Sequence, residues 1–118
     1  MTSRPTTKIP RSELNSLRAF YQLPQEENVL EYLEHHQHLL LILEQGKTII
    51  NDTFPNFAVY LEVVTDPDSG ESLLAIYIKR QEEDVEIALD LIEKVYDEWL
   101  AKYNAEVRSQ LLLRYDYR

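Results

Sequence analysis

The hydrophobic period of this chain changes along its length, and that change restricts the available folds more than any other feature. Apolar side chains recur every three to four positions through residues 28–53, alternate strictly through 57–80, return to the three-to-four spacing through 85–103, and alternate again through 110–117. The first spacing lines up one face of a helix and the second one face of a strand. Helices, two strands, a helix and a strand predict an α+β fold, in the order ααββαβ.

Punctuation refines this reading. Ser12 is expected to cap a short helix over 13–22 that buries Leu14, Leu17 and Phe20 or Tyr21 and stops before Pro24. Asn28, with Glu31 three positions on, is a candidate capping box for the next helix. A break near His36 and Gln37 is followed by Leu39, Leu40, Ile42, Leu43, Gly46, Ile49 and Ile50, in phase across Gly46. Gly46 therefore belongs inside a helix, where it costs about 1 kcal/mol against Ala. Phe57 to Val64 and Ser72 to Arg80 flank the turn formers Asp66-Pro67-Asp68-Ser69-Gly70, a β-hairpin. Glu82, Glu83 and Asp84 then favour the start of a helix. Its expected apolar face is Val85, Ala88, Leu89, Ile92, Val95 or Tyr96, Trp99 and Tyr103, with Leu89 and Trp99 in the core.

The helix between the second and third strands returns the chain parallel to the second. Docking of the third strand beside the first gives a three-stranded, mainly antiparallel sheet packed on helices. Residues 1–10 are expected to form a flexible basic arm and 11–118 a single domain, since 118 residues suffice for one core. One sheet face would carry Val59, Leu61, Val63, Leu74, Ile76 and Ile78. The other, with Tyr60, Val64, Leu73, Ala75, Tyr77 and Leu112 beside Glu62, Lys79 and Arg114, is too apolar to stand in water. The N-terminal helix, a second subunit or a different protein partner is expected to cover it.

Composition narrows function. With no Cys there is no disulfide, thiolate metal site or cysteine nucleophile, and with only two Gly there is no glycine-rich phosphate loop. No unbroken apolar run, Leu39 to Leu43 among them, approaches the ~20 residues of a membrane span, and the N-terminus lacks a signal-like apolar stretch, so a cytoplasmic protein is expected. Net charge is −9, but unevenly placed: +3 over 1–24, −13 over 25–104 and +1 over 105–118. An acidic body argues against direct nucleic-acid binding by its eight Tyr and one Trp.

Glu31, Glu34, His35 and His38 form a cluster of metal-competent side chains in which a continuous helix would align Glu31 with His35 and Glu34 with His38. It lacks the HExxH arrangement and is expected to be a solvated helix surface, with a metal site at Glu31, His35 and His38 as the alternative. Asp66, Asp68 and Glu71 suggest a calcium loop, but Glu71 stands where an EF-hand has Gly, and the turn accounts for every residue. No nucleophile arrangement is present and the paired carboxylates lie on a solvent face, so no catalytic residue and no cofactor is expected.

The segment Leu61-Glu62-Val63-Val64-Thr65-Asp66-Pro67, followed by an apolar strand and an acidic helix running through Ala88-Leu89-Asp90 to Asp97-Glu98-Trp99-Leu100, resembles a group of small uncharacterised bacterial proteins. The likeness covers residues 28–118 through an LEVVxDP hairpin and a helix ending in Glu-Trp. It implies the fold and transfers no catalytic residues.

The expected function is a non-catalytic, homodimeric protein-interaction domain with an acidic surface. Its contact is expected near Leu73, Tyr77 and Tyr60, along the second strand's open edge. The alternative is a small acidic regulator or inhibitor that masks a basic protein, in the manner of an antitoxin or nucleic-acid mimic. A third is a metal-dependent enzyme using Glu31, His35 and His38.

Overall fold

A computed structural model describes residues 9–79 and 85–116. Helix α1 spans Arg11–Phe20, strand β1 Tyr21–Gln22, α2 Glu26–His35, α3 His38–Thr53, β2 Val59–Thr65, β3 Ser72–Lys79, α4 Val85–Glu98, α5 Ala105–Gln110 and β4 Leu111–Asp116; a 3-10 turn at Leu100–Lys102 links α4 to α5. The α+β class is as expected.

Helix α1 starts one residue before Ser12, with Pro10 at the N-cap position and no side-chain cap. It buries Leu17, with Leu14 and Phe20 partly covered. Ile9, just ahead of it, also lies in the core. Likewise α2 begins at Glu26, not after Asn28, and Gln25 supplies no capping bond. An ion pair from Arg18 to Glu26 joins α1 to this first turn instead. The break at His36 and Gln37 falls where the sequence places it, and α3 runs unbroken through Gly46.

The hairpin forms with the expected two faces. Val59 faces Ile78, Leu61 faces Ile76 and Val63 faces Leu74 on one face, while Tyr60–Tyr77, Glu62–Ala75 and Val64–Leu73 pair on the other. Its turn is closed by Asp66 N–H donating to Glu71 O at 2.8 Å and Gly70 N–H donating to Asp66 O at 2.8 Å. The Asp66 carboxylate accepts from Asp68 N–H at 2.8 Å, and Gly70 has φ +77°, the left-handed region that only glycine enters cheaply. The acid is consumed by its own turn.

The sheet itself differs from the expectation. It has four strands in the order β1-β2-β3-β4, with β1–β2 and β3–β4 parallel and only β2–β3 antiparallel. The cause is Tyr21-Gln22, which leaves α1 extended and occupies the edge of β2 where the terminal strand was expected. The remaining edge is that of β3, and β4 takes it through an α4 crossover. Strand β3, expected to present an open edge, is therefore paired on both sides.

Helix α4 also turns differently. Ala88, Val95 and, just beyond its end, Trp99 are buried, while Leu89, expected in the core, is 50% exposed. Val85 and Tyr96 are exposed as well. Glu82, Glu83 and Asp84 lie outside the described residues. Between the 3-10 turn and β4 stands the short helix α5, whose N-cap Asn104 accepts from Val107 N–H at 2.9 Å.

The core lies between the inner sheet face and the helices. Val59, Leu61, Leu74, Ile76, Ile78 and Leu111 meet Val29 and Leu33 of α2, Leu39, Leu43 and Ile50 of α3, and Val95 of α4. Helix α1 joins this same layer through Leu17.

Candidate functional site

Two regions collect the side chains that the sequence singles out. The first is the outer sheet face. Strand parity places Tyr60, Glu62 and Val64 of β2, Leu73, Ala75, Tyr77 and Lys79 of β3, and Leu112 and Arg114 of β4 on one surface. The pairing arranges eight of them in three rows across the strands, Tyr60–Tyr77–Arg114, Glu62–Ala75–Leu112 and Val64–Leu73, while Lys79 pairs with Asp116 of β4. Tyr60, Val64, Leu73, Tyr77 and Leu112 are absent from the core cluster and from the partly buried hydrophobics packed against it. Ala75 at the centre is buried, while Tyr60, Val64, Leu73, Tyr77 and Leu112 are half-buried. The expected contact residues Leu73, Tyr77 and Tyr60 thus share one surface, with Tyr60 directly opposite Tyr77.

The second region is a cleft of about 770 Å³ on the opposite, helix-bearing side, between α2, the turn end of the hairpin and the start of β4. Asn28, Glu31, Tyr32, His35 and His36 line one wall; Thr65, Glu71 and Ser72 line another; Ser109 and Gln110 complete it. The Tyr32 ring stacks on His36, centroids 4.1 Å apart and 17° from parallel. Tyr32 Oη reaches toward Ser72 O across the walls at 3.5 Å, and burial pushes its phenol pKa above the ordinary value.

This cleft receives only part of the expected metal cluster. The helix break after His35 puts His38 on α3, where its Nε2 bonds Gln110 Oε1 at 2.8 Å. His35 Nδ1–H donates to Glu31 O at 2.9 Å and His36 Nδ1–H to Tyr32 O at 2.8 Å, so both rings are tied to the backbone of their own helix. Among the described residues no group of three His, Cys, Asp or Glu side chains is placed to hold one metal ion. Continuous helical spacing, which made Glu31, His35 and His38 a candidate set, is absent at that point. The cleft itself was invisible to sequence reading, because its walls come from segments separated by up to about eighty positions. Among the described residues no helix is long and apolar enough to cross a membrane.

Comparison with protein-family models, with curated proteins and with solved structures returns no match for this chain.

Proposed function

We propose that this protein is a non-catalytic interaction domain that pairs with a second copy of itself through the outer sheet face. The supporting observation is the segregation of Tyr60, Val64, Leu73, Tyr77 and Leu112 from the core that every helix α1 to α4 helps to build. An apolar surface rimmed by charge is the usual form of a protein contact.

A second copy is favoured by charge. Residues 25–104 carry a net −13, so two copies repel one another over most of their surface. The outer face instead combines Glu62 with Lys79 and Arg114. A twofold axis can set the acid of one copy against a base of the other, as an isologous contact requires. Edge pairing through β3 is closed by β4, so the contact is face to face.

Light scattering tests this reading. The wild type is expected to weigh twice the 14.0 kDa of one chain at micromolar concentration. Tyr77→Asp and the milder Arg114→Glu are both expected to return the monomer mass with the helical circular dichroism retained. A wild-type mass of one chain throughout that range rejects the reading.

A second reading has its own observation. Leu89 and Tyr96 are exposed on α4 among Glu86, Asp90, Glu93 and Asp97, a mixed apolar and acidic stripe suited to a basic partner. A wild-type mass of one chain, together with binding of a lysine- and arginine-rich peptide that Leu89→Asp weakens and Tyr77→Asp leaves unchanged, would favour this reading.

A further inference from the structure

The cleft beside α2 has a chemistry distinct from that of the outer face and lies on the other side of the sheet. We propose that it binds a small organic amine carrying two or more ammonium groups. Its volume of about 770 Å³ is within the range of roughly 300–1,000 Å³ found for small-molecule sites.

The lining selects for charge. Glu31 and Glu71 line the cleft, and among the described residues no Lys or Arg does. The ion pairs among the described residues are Arg18–Glu26 and Glu44–Lys47, so neither cleft carboxylate is neutralised there by a protein cation. An anionic ligand would meet two like charges with no base to offset them. An apolar ligand would find little beyond Val63 and the aromatic rings to bury against.

The uncharged groups select for the same ligand. The stacked Tyr32–His36 pair contributes a flat aromatic wall, and an alkylammonium over such a ring gains a cation–π attraction. Thr65, Ser72, Ser109 and Asn28 offer side-chain oxygens that accept from N–H donors, while Gln110 Oε1 is already engaged by His38. His35 and His36 have Nδ1 engaged with the backbone carbonyls of Glu31 and Tyr32, which fixes both rings in the cleft wall. A ligand with several N–H donors and positive charge at two points uses both carboxylates and these acceptors together.

The experiment is a nuclear magnetic resonance titration of the full chain with 1,4-diaminobutane and with spermidine at constant ionic strength, with potassium chloride as the control for general screening. Saturable shifts confined to residues 28–36, 63–72 and 109–110 are expected, with a dissociation constant below about 1 mM. Glu31→Gln and Glu71→Gln are each expected to weaken binding about tenfold, and Glu93→Gln on α4 to leave it unchanged. Shifts that fail to saturate, that spread along the acidic surface of α4, or that survive both cleft substitutions would overturn the proposal. So would equal binding of a capped peptide bearing one lysine, which would assign the cleft to a protein ligand.

Discussion

Gly46 of α3 lies directly beneath the indole of Trp99. A Cβ at Gly46 would stand 2.5 Å from Cε2 and Cη2 of that ring and closer still to Cζ2. Trp99 is 1% exposed, and its Nε1 donates to Ile42 O at 2.9 Å, the carbonyl one helical turn before Gly46. The indole is thus pinned at one end by a hydrogen bond and seated on bare backbone at the other.

Gly46→Ala is therefore expected to destabilise the protein, although Ala is the better helix former by about 1 kcal/mol. Overpacking against a buried ring costs about 1 to 3 kcal/mol and is expected to win. Urea denaturation checks the sign. The loss is expected to shrink in a Trp99→Leu background, where the ring is gone, and a stability gain in the wild-type background would show that Gly46 is not filled by Trp99.

Leu89 and Leu100 make a paired comparison. Leu89→Ala on the exposed side of α4 is expected to change stability by no more than about 0.5 kcal/mol, as for other surface substitutions. Leu100→Ala, at a fully buried position in the 3-10 turn, is expected to cost about 2 to 5 kcal/mol. Denaturant midpoints that reversed this order would mean that α4 is rotated about its axis.

The Tyr21 phenol is buried and donates to Leu43 O at 2.7 Å. Burial raises its pKa far above the ordinary value, with the nearby Glu44 charge acting in the same direction. Above about pH 10 the unfolded chain releases this proton while the folded chain keeps it. The stabilising contribution is therefore complete below that pH and falls by about 1.4 kcal/mol per unit above it. Stability measured between about pH 9 and pH 11 is expected to decline less steeply in Tyr21→Phe than in the wild type. Equal slopes would place Tyr21 in contact with water.

Asn104 fixes the start of α5, the helix that feeds β4 into the sheet. Its side chain accepts from Val107 N–H, so Asn104→Ala is expected to cost about 0.5 to 2 kcal/mol, and Asn104→Asp, which keeps the acceptor, much less. Thermal unfolding of the two variants separates the lost cap from a general effect of altering the loop.

What the sequence determined by itself was the kind of each major element and the two faces of the hairpin. The alternation from Val59 to Val64 already sorted Leu61 and Val63 from Tyr60 and Val64, because strand parity is a local property of the chain. The spacing from Leu39 to Ile50 likewise carried α3 through Gly46. Tertiary structure decided the rest. A two-residue strand such as Tyr21-Gln22 is too short to show a period, yet by occupying the edge of β2 it sends β4 to β3 and turns an antiparallel sheet into a mixed one. Helix α4 is apolar over a wide arc, so its spacing admits Leu89 as readily as Val95. Trp99, seated on Gly46 of another helix, accompanies the phase that buries Ala88 and Val95. Edge occupancy and helix rotation depend on contacts between distant segments, and hydrophobic periodicity records only the neighbours along the chain.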